Sequence, residues 1–259
     1  MTVGGSSIVL TTDADGVRTI TLNRPEVRNA FNSALYRAAG EAFDAADADD
    51  TVRVIVFTGA GPGFSAGQDL KEMAALGARV GDDPEGAAED HGFRTFIDAI
   101  ERCSKPVIAA VHGPAVGIGT TLLPYCDLVV VADDARLRLP FVPLGVVPEA
   151  GSSFTIPAIV GRQRSAWLLL SGDWLDGPGA VEAGLALRCV PRSELEATVA
   201  GLAAHLAGLS AASLTATKAL VRAGWIDAAR SAREREEAVF TTLLGQAASR
   251  AALDEFLAR

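Results

Sequence analysis

VRVIVFTGAGPGFSAGQDLKEM, residues 52 to 73, passes from an apolar run through a glycine-rich turn into a helix start. Three chemistries fit that turn. Gly63, Ser65 and Gly67 spell the G-x-S-x-G of a serine-hydrolase elbow. Gly61, Gly63 and Ala66 spell the G-x-G-x-x-A of a dinucleotide site. In the third reading no side chain reacts, and backbone N–H groups of a tight turn grip a substrate oxygen.

The elbow needs Ser65 on a sharp strand-to-helix turn, followed later in the chain by an acid and a histidine. The late histidine is His205, within LAAHLAGL, an Ala/Leu helix with no acidic neighbour in sequence, where a structural role is commoner than a base. The dinucleotide reading needs a second strand about 20 residues on that ends in an acid. MAALGARVGDD supplies acids on a weak strand, and Pro62 sits where an amide should face phosphate. The third reading uses what is plainly present. QDLKEMAAL starts a helix with Asp69 and Glu72 in its first turn, so the amides of Ser65 to Gly67 lie near the positive end of a helix dipole. Ala66 is small enough for a carbonyl oxygen to approach its N–H. HGPAVGIGTTLL, residues 112 to 123, is the candidate for a second donor turn.

Working outward, GVRTITLNRP alternates apolar and polar residues and reads as a half-buried strand, and VRVIVFTG, PVIAAVHG and DLVVVAD read as strands covered on both faces. Ser33 to Ala48 is helical, with Ser33 placed to cap. Strands separated by helical stretches define an α/β class. Residues 77 to 92, GARVGDDPEGAAEDHG, are acidic, glycine-rich and poorly patterned, a surface loop or lid. From Ser193 onward the chain is Ala-rich and helical. The expected organisation is a core over residues 1–195 and a helical C-terminal subdomain over 196–259, its apolar faces packing on the core or on another subunit.

At 259 residues and 49% hydrophobic, the chain can bury one large core. A net charge of -9 without basic clusters argues against a nucleic-acid surface. Cys103, Cys126 and Cys189 are odd in number and widely spaced, which fits a reducing compartment and no disulfide framework. The N-terminus has no basic start, and no apolar run approaches a membrane span. The expectation is a soluble cytoplasmic protein with a small-molecule partner and no membrane.

The two glycine turns, in this order and about 50 residues apart, resemble the crotonase (enoyl-CoA hydratase/isomerase) family. The resemblance begins at LNRPEVRNAFNSAL, continues through FSAGQDLKEM and the long stretch from KPVIAAVHGPAVGIGTTLL to GVVPEAGSS, and persists to GLALRCVP and TKALV. It implies a spiral of ββα units with a helical C-terminal part, and a homotrimer or dimer of trimers. It implies that the amides of Ala66 and Ile118 form an oxyanion hole for an acyl-CoA thioester, with Arg28, Ser65, Asp69 and Leu70 near the CoA nucleotide. Ile118 departs from the Gly-rich pattern common in hydratases while keeping its N–H. Lys218 is a surface lysine or a contact for CoA phosphate, and His112 has no assigned chemistry.

Hydration of a 2-enoyl thioester asks for two carboxylates holding one water. Aligned on the motifs, the two hydratase glutamate positions fall on Thr121 and Phe141, neither of which can act. Glu149 is the only glutamate between Lys105 and Gly161, and it lies in the apolar stretch LGVVPEAGSSFTIP. An apolar setting raises a carboxylate's pKa and strengthens it as a base where the group faces the site; the other reading of Glu149 is an acid at the N-terminus of the following helix. PEAGSSFTIP, preceded by PAVGIGTTLL, is similar to the Δ3,Δ2-enoyl-CoA isomerase branch, where one glutamate moves the proton. That chemistry needs no metal and no redox cofactor, the substrate arriving as its coenzyme A thioester. The rivals are a hydratase with a second acid from around Glu85 to Asp90, and an acyl-CoA binding protein without catalysis. Fatty acid β-oxidation is the pathway the family suggests.

Overall fold

Continuous β-branched runs become strands because neither face of the sheet meets water. In the computed structural model, residues 7–82 and 92–258 are described, residues 80–82 as backbone alone. The strands among them are β1 (Val9–Ala14), β2 (Val17–Leu22), β3 (Val54–Gly59), β4 (Val107–Val111), β5 (Pro114–Val116), β6 (Leu128–Ala132), β7 (Arg136–Arg138), β8 (Trp174–Asp176) and β9 (Arg188–Val190). The helices are α1 (Ser33–Ala48), α2 (Leu70–Asp82), α3 (Phe93–Arg102), α4 (Ile118–Thr121), α5 (Ser152–Val160), α6 (Arg162–Ser171), α7 (Gly177–Glu182), α8 (Leu195–Ala207), α9 (Ala211–Ala223), α10 (Ile226–Leu244) and α11 (Ala247–Leu257).

The main sheet has the order β1-β2-β3-β4-β6-β9, and a small sheet has the order β5-β7-β8. All pairs in the main sheet are parallel except the β1–β2 hairpin. Two long strands are each followed by a short one and a helix: β4 leads to β5 and α4, and β6 leads to β7 and, after a 3-10 turn, α5. The two sheets grow side by side as the chain coils.

Alternation along the long strands separates two packed layers. Ile55, Phe57, Ala109, Val111, Val129 and Val131 join the large core, while Val54, Val56, Ile108, Ala110, Val130 and Ala132 meet Leu195, Val199 and Ala203 of α8. Burying each Leu or Val contributes about 1.5–3 kcal/mol, so α8 is needed to cover a sheet face that water would otherwise meet. Of the other C-terminal helices, α10 packs on α5 and α2, and α11 on α2. Among the described residues no single helix is long and apolar enough to cross a membrane.

Three local expectations change. Residues 77–82 are the end of α2 rather than loop, Gly92 caps α3, and the rest of the expected lid, 83–91, lies outside the described residues. The cap of α1 is Asn32, whose side chain accepts from the Leu35 amide at 2.9 Å, because the Ser33 hydroxyl already donates to Glu72. β1 has a signal the hydropathy reading passed over. Asp15 and Gly16, both at positive φ, form the Asp-Gly turn that favours a two-residue hairpin.

Candidate active site

The glycine turn of residues 59–69 is fixed by a buried asparagine. Asn29, fully buried, accepts from the Arg24 amide at 2.9 Å and donates to the carbonyls of Ala60 and Gly63, each at 2.9 Å. Gly59 must lack a Cβ, since one would lie 2.7 Å from Asn29 Nδ2 and 2.4 Å from Phe64 O. Asn29→Ala would strand these buried backbone groups, and a loss of about 2–3 kcal/mol is expected. Urea unfolding measures it; a change below about 0.5 kcal/mol would show the turn holds itself.

Ser65 cannot be a nucleophile or a CoA contact. It is fully buried, its hydroxyl donates to Asn29 O at 2.9 Å and accepts from the Gly67 amide at 3.1 Å, and its own N–H and C=O pair with Pro114 and Val116. His205 is exposed on α8. The hydrolase reading therefore fails on the serine itself.

The Ala66 amide is also committed. It donates to Arg28 O at 2.8 Å, so it is not free for a substrate oxygen. The next amide, Gly67, is tied to Ser65 Oγ. Gln68 N–H, by contrast, makes no hydrogen bond among the described residues, although its neighbours do: Phe31 N donates to Gly67 O and Asp69 N donates to Phe31 O, both at 2.7 Å. Sequence reasoning missed Gln68, because which amides of a turn are spent depends on the segments beside it.

The second turn arrives alongside. Ser65 and Ala115 form a parallel bridge, so three residues further on along each chain stand Gln68 and Ile118. The approach is close: a Cβ on Gly67, at φ +92, would sit 2.6 Å from Val116 O. Ile118 opens α4 behind Gly117, and as the first helical residue its N–H has no intrahelical partner. A Cβ on Gly117 would meet nothing within 4 Å, so space opens before this turn.

Glu149 reaches the same place from the segment before α5. Thr121, the third residue after Ile118, donates its hydroxyl to Glu149 Oε1 at 3.4 Å. The Glu149 residue keeps partial exposure while its carboxyl is surrounded by protein, as befits the wall of a cleft. Burial pushes its pKa up to about 8, with the Glu236 carboxylate adding to the rise and the Thr121 hydroxyl opposing it. Phe141, the other hydratase position, is buried and apolar. Tyr36 is bonded to the turn and senses the charge of Glu149. It donates to Gln68 Oε1 at 2.7 Å, and its phenol is raised well above its ordinary value by burial and then by Glu149 and Glu72. Neither Tyr36 nor Glu236 carries a sequence signal, since both come from distant helices.

Of the residues expected near the nucleotide, Arg28 is exposed at the rim with its backbone in the left-handed region, φ 51. Asp69 is half-buried, accepts from the Lys71 amide and lies 3.6 Å from Arg24, and Leu70 packs partly on the core. Lys218 is neither a surface lysine nor a phosphate contact. It is buried, bonding Asp127 at 2.7 Å and Lys105 O at 2.6 Å. His112 is buried with Nε2 against Gly61 O at 3.1 Å, and burial lowers its pKa. A separate cavity of about 540 Å³, lined by Tyr125, Cys126, Phe154, Leu214, Lys218 and Trp225, includes none of Gln68, Ile118 or Glu149. The expected second acid, Glu85 to Asp90, lies outside the described residues.

Two amides without a partner among the described residues, those of Gln68 and Ile118, thus come from the two glycine turns, with one carboxyl of raised pKa bonded to Thr121. The chain belongs to the enoyl-CoA hydratase/isomerase family, which it matches over residues 12–259. It is 37% identical over 198 residues to 1,2-epoxyphenylacetyl-CoA isomerase of Escherichia coli, covering 74% of this chain and 73% of that one. It is 37% identical over 216 residues to enoyl-CoA delta isomerase 2 of Rattus norvegicus, covering 83% of this chain and 54% of that one. Other relatives are named probable enoyl-CoA hydratases. An enoyl-CoA hydratase/isomerase structure from Pseudoalteromonas atlantica superposes with a TM-score of 0.88 at 32% identity, covering 97% of each chain. The fold is the crotonase fold of these structures.

Proposed function

We propose that the protein is an acyl-CoA double-bond isomerase that converts a 3-enoyl-CoA to the trans-2-enoyl-CoA with Glu149 as the single proton carrier. The observation that carries this is the single carboxylate bonded to Thr121 among the described residues. Thr121 and Phe141 occupy the two hydratase positions, and Glu149, the described carboxylate that Thr121 bonds, has its proton affinity raised by burial.

In the reaction, the thioester oxygen accepts from the amides of Gln68 and Ile118. Glu149 takes a proton from C2; the C2–H pair forms the C1=C2 bond of a dienolate while the carbonyl pair moves onto oxygen. The carboxylic acid then protonates C4 as the electrons return, closing C2=C3 and restoring the carbonyl. The same proton inventory enters and leaves. A base near pKa 8 is better matched to a weak carbon acid than an ordinary glutamate near 4.5. Each backbone donor aimed at the developing oxyanion is worth about 3–4 kcal/mol. Arg28, Asp69 and Leu70 are proposed to line the nucleotide end of CoA, and the cytoplasm is the proposed compartment.

The test is turnover of 3-hexenoyl-CoA to the 2-enoyl product beside hydration of crotonyl-CoA. Isomerisation well above hydration is expected. Because Glu149 must be ionised to accept the C2 proton, kcat/KM should rise with pH up to about 8 and level above it. Hydration outpacing isomerisation would reject the reading, and a profile flat from pH 6 to 9 would reject Glu149's perturbed ionisation as its source.

A further inference from the structure

The turn that carries Glu149 is clamped from the far side by α10. Ala150, an L-residue at φ 56, and Gly151, at φ 70, both sit in the left-handed region, which costs about 1–3 kcal/mol for the alanine and persists only where the surroundings impose it. Three contacts impose it. Tyr125 donates its hydroxyl to Ala150 O at 2.7 Å. Glu236 of α10, 5% exposed, accepts from Gly151 N through Oε2 at 2.6 Å and from Ser153 N through Oε1 at 2.7 Å. α10 lies so close that a Cβ on Gly151 would sit 2.7 Å from Ala229 O.

We propose that Glu236 is a positioning residue for the base: its two bonds to the Gly151 and Ser153 amides fix the Glu149–Gly151 turn, with its carboxylate standing behind that turn. The inference rests on Glu149 being the base. Glu236 is a buried carboxylate without a cation. Among the described residues no salt bridge reaches it, and its two oxygens instead accept from the Gly151 and Ser153 amides at the start of α5. The groups facing the pair are Thr121 of α4, Tyr36 of α1 and Tyr125, whose phenol senses Glu236 together with Arg233, Glu101 and Asp98. Arg233 is spent on Asp98 at 2.6 Å. Among the described residues no salt bridge pairs either carboxyl with a cation, so the repulsion of Glu236 adds to burial in raising the pKa of Glu149.

The experiment follows the Glu149 carboxyl itself by 13C NMR pH titration of glutamate-labelled protein, assigned by its loss in Glu149→Gln, alongside kcat/KM against pH. In Glu236→Gln, which keeps the volume and removes the charge, the Glu149 midpoint should fall by about half a unit or more, and the low-pH limb of kcat/KM should move with it. A merely structural role would lower stability and leave that midpoint in place, and an unmoved midpoint in folded Glu236→Gln overturns the proposal. Should that variant not fold, Glu236→Asp keeps the charge and is one methylene too short for both amides. It should lose about tenfold in kcat with the midpoint retained, and wild-type kcat there overturns the positioning role. If Glu149→Gln turns over normally, the isomerase mechanism fails, while the titration still reports on Glu236 alone.

Discussion

Glu149→Gln should lower kcat for 3-enoyl-CoA isomerisation by about 10³-fold or more, because one positioned base supplies 10²–10⁴ and here both proton transfers pass through the same carboxyl. Gln keeps the volume and still accepts from Thr121, so substrate KM should change little. The same substitution should make the protein more stable at high pH, and the sign follows from linkage. The folded carboxyl titrates at about 8 and the unfolded one near 4.5, so between these values the native state binds more protons than the unfolded state. The contribution of Glu149 is fully favourable below the unfolded pKa and is lost as pH rises through the folded one. Wild type should therefore lose stability relative to Glu149→Gln from pH 5 to pH 9, seen as diverging urea midpoints. Retained turnover would exclude Glu149 as the base, and parallel stability curves would mean that its carboxyl is not perturbed.

Ile118→Pro is the second large effect. It deletes one N–H and no described hydrogen bond, since that amide precedes the first intrahelical bond of α4, and proline is well accepted at the first position of a helix. The loss of one oxyanion donor should cost about 10²–10³-fold in kcat. Ile118 is fully buried, so the variant also leaves a void, and Ile118→Val, which trims the side chain and keeps the amide, separates the two effects. Val should stay within a few-fold of wild type. Equal losses in Pro and Val would assign the effect to packing and remove the Ile118 amide from the oxyanion hole.

Local sequence determined a great deal. The covered strands β3, β4 and β6 are legible because a β-branched run with no polar face can exist only under two layers, and α1 is legible in its apolar spacing. Glu149 was legible as well, since a lone glutamate among Val146, Val147 and Ile156 announces desolvation before any coordinates exist. Gly117 and Gly119 marked a turn around Ile118, but only the family resemblance singled out its amide.

Tertiary structure alone decided how each group is spent. An amide is available or not according to which carbonyl lies opposite it, and the Arg28 carbonyl that occupies Ala66 N–H comes from 38 residues earlier, while Gln68 N–H has no partner among the described residues. Ser65 reads as reactive or nucleotide-facing until Asn29 O is placed against its hydroxyl. Lys218 reads as a surface cation until Asp127 and the Lys105 carbonyl enclose it. Glu236 is one glutamate among several in AREREEAV, and only the docking of α10 on α5 aims it at two amides behind the base. Hydropathy and turn chemistry are properties of neighbours in the chain; hydrogen-bond commitment and electrostatic coupling are properties of neighbours in space.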